Sequence, residues 1–172
     1  MIKLDGMSHT GFDVEDLDRC IDFYTSVLGA KVEWTRDTGK TRLTKLYIGN
    51  LGLSIPERPK GSPKPEVPFA IHFAYRADPD HVLDYVEHVK SCGVEVDGPV
   101  GHGNEPQNVS WFFSDPDGHR LEIEAHYATA DQAIAVVEKK HEERKPQLDL
   151  YHGGDALEEL KAQQARTSEA RS

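Results

Sequence analysis

His9-Thr10-Gly11-Phe12-Asp13-Val14-Glu15-Asp16-Leu17-Asp18-Arg19 carries the chain from a strand into a helix. Asp16 suits a helix N-cap, and Asp18 lies in the first turn, where the helix dipole favours an anion. Leu17, Cys20, Ile21, Tyr24, Val27 and Leu28 then recur at helical spacing, and Gly29 stops the run. A second strand holding one histidine, Phe69-Ala70-Ile71-His72-Phe73-Ala74-Tyr75, precedes a second helix, expected over about residues 79–92. Asp78 is the expected cap there, Pro79 the first helical residue, and Val82, Val86 and Val89 the apolar stripe before Gly93.

The two segments are copies. A shift of 62 positions lays Asp16 on Asp78, Asp18 on Asp80, Asp22 on Asp84 and Val27 on Val89. Each helix is followed by an extended stretch, residues 30–34 and 93–96, and then by two further strand candidates. Those are residues 42–48 and 51–55 in the first half, and 108–113 and 119–126 in the second. Each half therefore reads βαβββ. Half a small domain cannot bury enough surface alone, so the expected architecture is α+β. Two βαβββ modules would pair into one curved, incompletely closed mixed barrel. The domain spans 1–128, with module 1 at about 4–55 and module 2 at about 69–127. Between them, residues 56–68 hold Pro56, Pro59, Pro63, Pro65 and Pro68 and read as a linker. Residues 129–172 form a helical C-terminal extension, with helices expected at 130–143 and 157–165, Pro146 between them, and a disordered end.

The chain has 172 residues and a formal net charge of −10, from 20 Lys and Arg against 30 Asp and Glu. That charge argues against a nucleic-acid or membrane partner. No apolar run approaches the roughly 20 residues that span a bilayer. The N-terminus lacks a signal-peptide pattern, and two cysteines, Cys20 and Cys92, make no disulfide framework. A cytoplasmic location with reduced thiols is expected.

Nine histidines are present. His9 and His72 hold equivalent strand positions, so a paired sheet would bring their imidazoles together. A third ligand is expected from the last strand, which follows the turn Asp115-Pro116-Asp117-Gly118 and reads His119-Arg120-Leu121-Glu122-Ile123-Glu124. Leu121 and Ile123 share one face of it; Glu122 and Glu124 share the other. A carboxylate turned inward needs a cation or is forced neutral. Two histidines and one carboxylate with open positions suit non-haem Fe(II), and the same donors take Mn(II), Zn(II) or Co(II).

The stretch from His9 to Arg19, with Phe23-Tyr24 and Leu28-Gly29, resembles the opening of a vicinal oxygen chelate domain. The run from Phe113 to Glu122 resembles its close, so the resemblance covers roughly residues 4–127. That family includes glyoxalase I, fosfomycin-resistance thiol transferases, extradiol dioxygenases and antibiotic-sequestering proteins. The resemblance implies His9, His72 and Glu122 as metal ligands and selects Glu122 over Glu124. The fourth ligand of glyoxalase I falls on Ser54, a poor donor, which leaves positions for a chelating substrate and O₂.

Gly101-His102-Gly103-Asn104-Glu105 resembles the loop of extradiol enzymes that carries a catalytic histidine, here His102. Those enzymes carry tyrosine where this chain has Phe112, and a further upstream histidine that is missing here. Trp111 and Phe113 are pocket candidates. The expected function is therefore an Fe(II) extradiol-type dioxygenase acting on a small oxygen-chelating substrate such as a catechol. Its alternatives are a Mn or Zn thiol transferase or lyase of the glyoxalase and fosfomycin-resistance type, and a metal-free binding protein. The transferase should cluster Lys and Arg around an anion, and residues 101–127 offer only Arg120. A homodimer would be in keeping with the resemblance.

Overall fold

The computed structural model describes residues 7–66, 68, 70–102 and 105–143. They fall in two compact units, within Met1–Ile71 plus Ser114–His119 and within His72–Phe113 plus Arg120–Ser172. The first unit contains β1 (His9–Gly11), α1 (Leu17–Leu28), β2 (Lys31–Asp37), β3 (Arg42–Ile48) and β4 (Leu51–Pro56). The second contains β5 (His72–Ala77), α2 (Val82–Ser91), β6 (Asp97–His102), β7 (Glu105–Ser114), β8 (Arg120–His126) and α3 (Ala130–Glu143). The strand orders are β1-β4-β3-β2 and β5-β8-β7-β6, so the βαβββ repeat expected from the sequence is present in each half with the same pairing.

α1 forms as its sequence dictates. Asp16 Oδ1 accepts from the Arg19 N–H at 3.0 Å, and Gly29 closes the helix in the left-handed region at φ 64°. Leu17, Cys20, Tyr24 and Val27 are its buried side. They meet the face of the sheet that carries Leu46, Leu53 and Ile55, all fully buried. β2 is an edge strand, and its exposed Lys31, Glu33, Arg36 and Asp37 discourage further pairing.

Two boundaries in the second half differ from the sequence reading. α2 starts at Val82 with His81 at the N-cap, because Asp78 is occupied in a turn of its own. Its Oδ1 accepts from the Asp80 N–H two residues on, at 2.9 Å, and its carbonyl accepts from His81. The strand after α2 is Asp97–His102 rather than 93–96. Pro99 within it is tolerated because β6 is the edge of its sheet. Val82, Val86 and Val89 of α2 are buried as expected. α3 spans 130–143 as read from the sequence, with Ala133, Ile134 and Val137 buried, and it packs on β6. The second C-terminal helix and Pro146 lie outside the described residues. No helix among the described residues is long and apolar enough to cross a membrane.

Residues Ser114–His119, the last residue of β7 and the turn to β8, pack into the first unit. The Asp117 carboxylate accepts from the Glu15 N–H at 2.8 Å and pairs with Arg19 at 3.3 Å and Arg58 at 3.4 Å. Asp115 accepts from the backbone N–H of Asp117 and His119, from the Tyr24 hydroxyl at 3.2 Å and from His119 Nδ1 at 2.8 Å. This turn is therefore a structural clasp on α1.

In the second sheet the two faces differ in character. Val109, Trp111 and Phe113 on β7 and Leu121 and Ile123 on β8 share the apolar face, which α2 covers; all are buried. Trp111→Ala is expected to cost about 3–5 kcal/mol in denaturant unfolding, because the indole is 2% exposed inside that core.

Cys20 is 1% exposed, and burial, with Asp115 and Asp117 nearby, pushes its thiol from 9.0 up to about 12. Below pH 9 the thiol is neutral both in the fold and in the unfolded chain. Between 9 and 12 only the unfolded chain ionises, so the stabilisation is lost as pH rises through that window. Unfolding titrations should show this loss, and Cys20→Ala should remove it. A thiol reagent should label exposed Cys92 in the native protein, and Cys20 only after unfolding.

Candidate metal centre

β5 and β8 run parallel with His72 opposite Arg120, Ala74 opposite Glu122 and Arg76 opposite Glu124. Side chains alternate, so these six residues share one face of the sheet. On it His72 Nε2 lies 2.8 Å from Glu122 Oε2. Glu122 is 4% exposed, and His72 is half-buried. Glu124 is on the same face, but Arg76 pairs with it at 2.8 Å and Asn108 Nδ2 donates to it at 3.1 Å. One carboxylate is thus neutralised by protein groups, while the other meets an imidazole.

Phe112 belongs to this face. Its ring centroid is 6.2 Å from that of His72, and the Arg120 guanidinium lies 4.4 Å over it. Trp111 and Phe113, the sequence-based pocket candidates, turn to the opposite, apolar face. The signal that would have placed them was present: Asn108, Ser110 and Phe112 alternate with Val109, Trp111 and Phe113 along one strand. His102 ends β6 rather than occupying a loop, and its Nε2 lies 2.9 Å from Ser110 Oγ, on the Phe112 side of β7. Gly103 and Asn104 of that motif lie outside the described residues.

In the first unit, β1 and β4 pair with His9 opposite Gly52 and Gly11 opposite Ser54. Set beside the β5–β8 register, His9 corresponds to His72, Gly52 to Arg120 and Ser54 to Glu122. Exposed His9 has its Nδ1 2.9 Å from Ser8 Oγ. β3 sets Lys45 opposite Ser54 and Tyr47 opposite Gly52. Lys45 lies across Gly52, where a Cβ would stand 2.9 Å from Lys45 Cε and 3.2 Å from His9 Cβ. Its ammonium is 5.6 Å from the Tyr47 ring centroid, and Arg36 lies 4.6 Å over Trp34 on the same face. These cations lie outside residues 101–127.

Imidazole nitrogen and carboxylate oxygen are donors of the kind divalent ions take, and the 2.8 Å His72–Glu122 pair brings one of each together at the edge of the buried core. The donor chemistry fits a metal ion. Within neither unit do three His, Cys, Asp or Glu groups converge among the described residues. His72 and Glu122 are brought together in one unit, and His9 is carried by the other.

The metallothiol transferase FosB of Staphylococcus saprophyticus is 23% identical over 150 residues, covering 86% of this chain and 91% of its own length. The fosfomycin resistance protein FosX of Listeria monocytogenes is 29% identical over 125 residues, covering 71% and 90%. The crystal structure of Listeria FosX with Mn(II) and sulfate has the same fold at a TM-score of 0.59 and 22% identity, covering 73% of this chain and 96% of that one. Residues 6–123 match the family described as Glyoxalase/Bleomycin resistance protein/Dioxygenase superfamily, and the chain belongs to that superfamily.

Proposed function

We propose that this chain is a metal-dependent group-transfer enzyme of the fosfomycin-resistance type, acting on a small substrate that chelates a divalent ion through oxygen. The carrying observation is the buried Glu122 carboxylate against His72 at 2.8 Å, on a face where Glu124 is already neutralised. His9 holds the equivalent place in the repeat, and the family resemblance implies it as a further donor. Ser54 stands where a fourth carboxylate would be needed for the glyoxalase set, so the reading keeps three protein donors.

A divalent ion at these donors would act as a Lewis acid on a bound substrate oxygen. Mn(II) is favoured over Fe(II), because the similar proteins include a FosX seen with Mn(II). The extradiol reading has less support: no relative named above is a dioxygenase, and Phe112 replaces the tyrosine of that chemistry.

The protein's own groups divide the remaining work. Arg120, braced on Phe112, and Lys45, laid over Gly52, supply positive charge on the two histidine-bearing faces. That answers the absence of a cation cluster in residues 101–127. His102, held by Ser110, is the proton carrier. In the transfer, a thiol sulfur forms a bond to an electrophilic carbon as the carbon–oxygen bond breaks, and the thiol proton passes through His102 to the departing oxygen.

His72→Ala and Glu122→Gln should each lower Mn(II) affinity at least about 100-fold with far-UV circular dichroism unchanged; full metal stoichiometry by elemental analysis would refute the ligand set. The Mn(II)-loaded protein should consume thiol in the presence of fosfomycin. Oxygen uptake with catechols and no thiol consumption would restore the dioxygenase reading instead.

A further inference from the structure

The first unit contains a cavity of about 470 Å³ that the metal chemistry does not use. Arg58, Lys64 and Glu66 line it from the proline-rich segment, and Asp117, Gly118 and His119 from the clasp turn. We infer that this cavity is a binding site for a small oxyanion that also carries a hydroxyl, such as hydrogen phosphate or a hydroxycarboxylate.

Charge is the first argument. The Arg58 side chain is only 7% exposed, yet its ion pairs are long, 3.3 Å to Asp13 and 3.4 Å to Asp117. Asp117 is consumed by Arg19, Arg58 and the Glu15 N–H. Lys64 Nζ donates to the Asp117 carbonyl, a neutral acceptor. Among the described residues no carboxylate pairs with that exposed ammonium, which lines the cavity. Exposed Glu66 is the one lining carboxylate outside this network. Gly118 makes the approach of Lys64 feasible, since a Cβ there would stand 3.1 Å from Nζ.

Hydrogen bonding is the second argument. His119 donates Nδ1–H to Asp115 at 2.8 Å, and Asp115 is itself fixed by two backbone N–H groups and Tyr24. With the proton at Nδ1 in that bond, the neutral imidazole presents Nε2 as an acceptor. Phe12 packs against the ring, tilted at 52° with centroids 4.6 Å apart. An anion with only acceptor oxygens would satisfy Arg58 and Lys64 but not Nε2. An O–H on the ligand satisfies all three.

Inorganic phosphate titrated into the full-length protein and into E122Q should shift the His119 ring C–H resonance saturably in both, because the metal face is not involved. Lys64→Met should weaken that binding about tenfold, the worth of one charge-assisted hydrogen bond. Measured by isothermal titration calorimetry, sulfate, without an O–H at neutral pH, should bind more weakly than phosphate, and His119→Asn should abolish that preference. Glycolate against acetate applies the same comparison to carboxylates. Absence of a saturable shift, equal binding by Lys64→Met, or loss of the shift in E122Q would each overturn the assignment. Failure of the metal experiments would leave it untouched.

Discussion

A carboxylate buried on a central strand constrains everything around it. Glu122 is 4% exposed, and taking its charge out of water costs several kcal/mol unless a partner answers it. His72 answers it from the neighbouring parallel strand. The flanking Leu121 and Ile123 fill the opposite, apolar face. A slip of one residue in β8 would drive the carboxylate into the core and expose both aliphatic side chains, so the register is fixed from both sides at once. The same register brings Arg120 over Phe112 and sets Arg76 against Glu124.

The two modules keep the same pairing and differ in what they place on it. Glu122 and Arg120 of one become Ser54 and Gly52 of the other. Loss of the Arg side chain opens the space that Lys45 occupies. One module thus supplies the buried carboxylate, and the other a half-buried cation beside its histidine.

The turn between β7 and β8 shows a second division. Its sequence belongs to the closing motif of the superfamily, but its contacts are with α1 and the start of the proline-rich segment. Asp115 and Asp117 serve as backbone and side-chain acceptors, and they also help hold the Cys20 thiol in its neutral form. β8 follows this turn directly, starting at Arg120.

Much was legible from the chain alone. The repeat, α1 with its Asp16 cap, the βαβββ order and the helix over 130–143 all follow from periodicity and turn chemistry, which act over a few residues. The paired positions of His9 and His72 were legible for the same reason. Local signals failed where an alternative partner stood nearby, as when Asp78 closed a turn on Asp80 instead of capping α2. They failed also where both faces of a strand are buried, so that Trp111 and Phe113 passed for pocket residues. Only tertiary structure decided that Glu124 is neutralised by Arg76 and Asn108 while Glu122 meets His72, because identical carboxylates two residues apart differ only in their cross-strand neighbours. The cavity at His119 is of the same kind: its walls are distant in sequence, and no local pattern encodes their meeting.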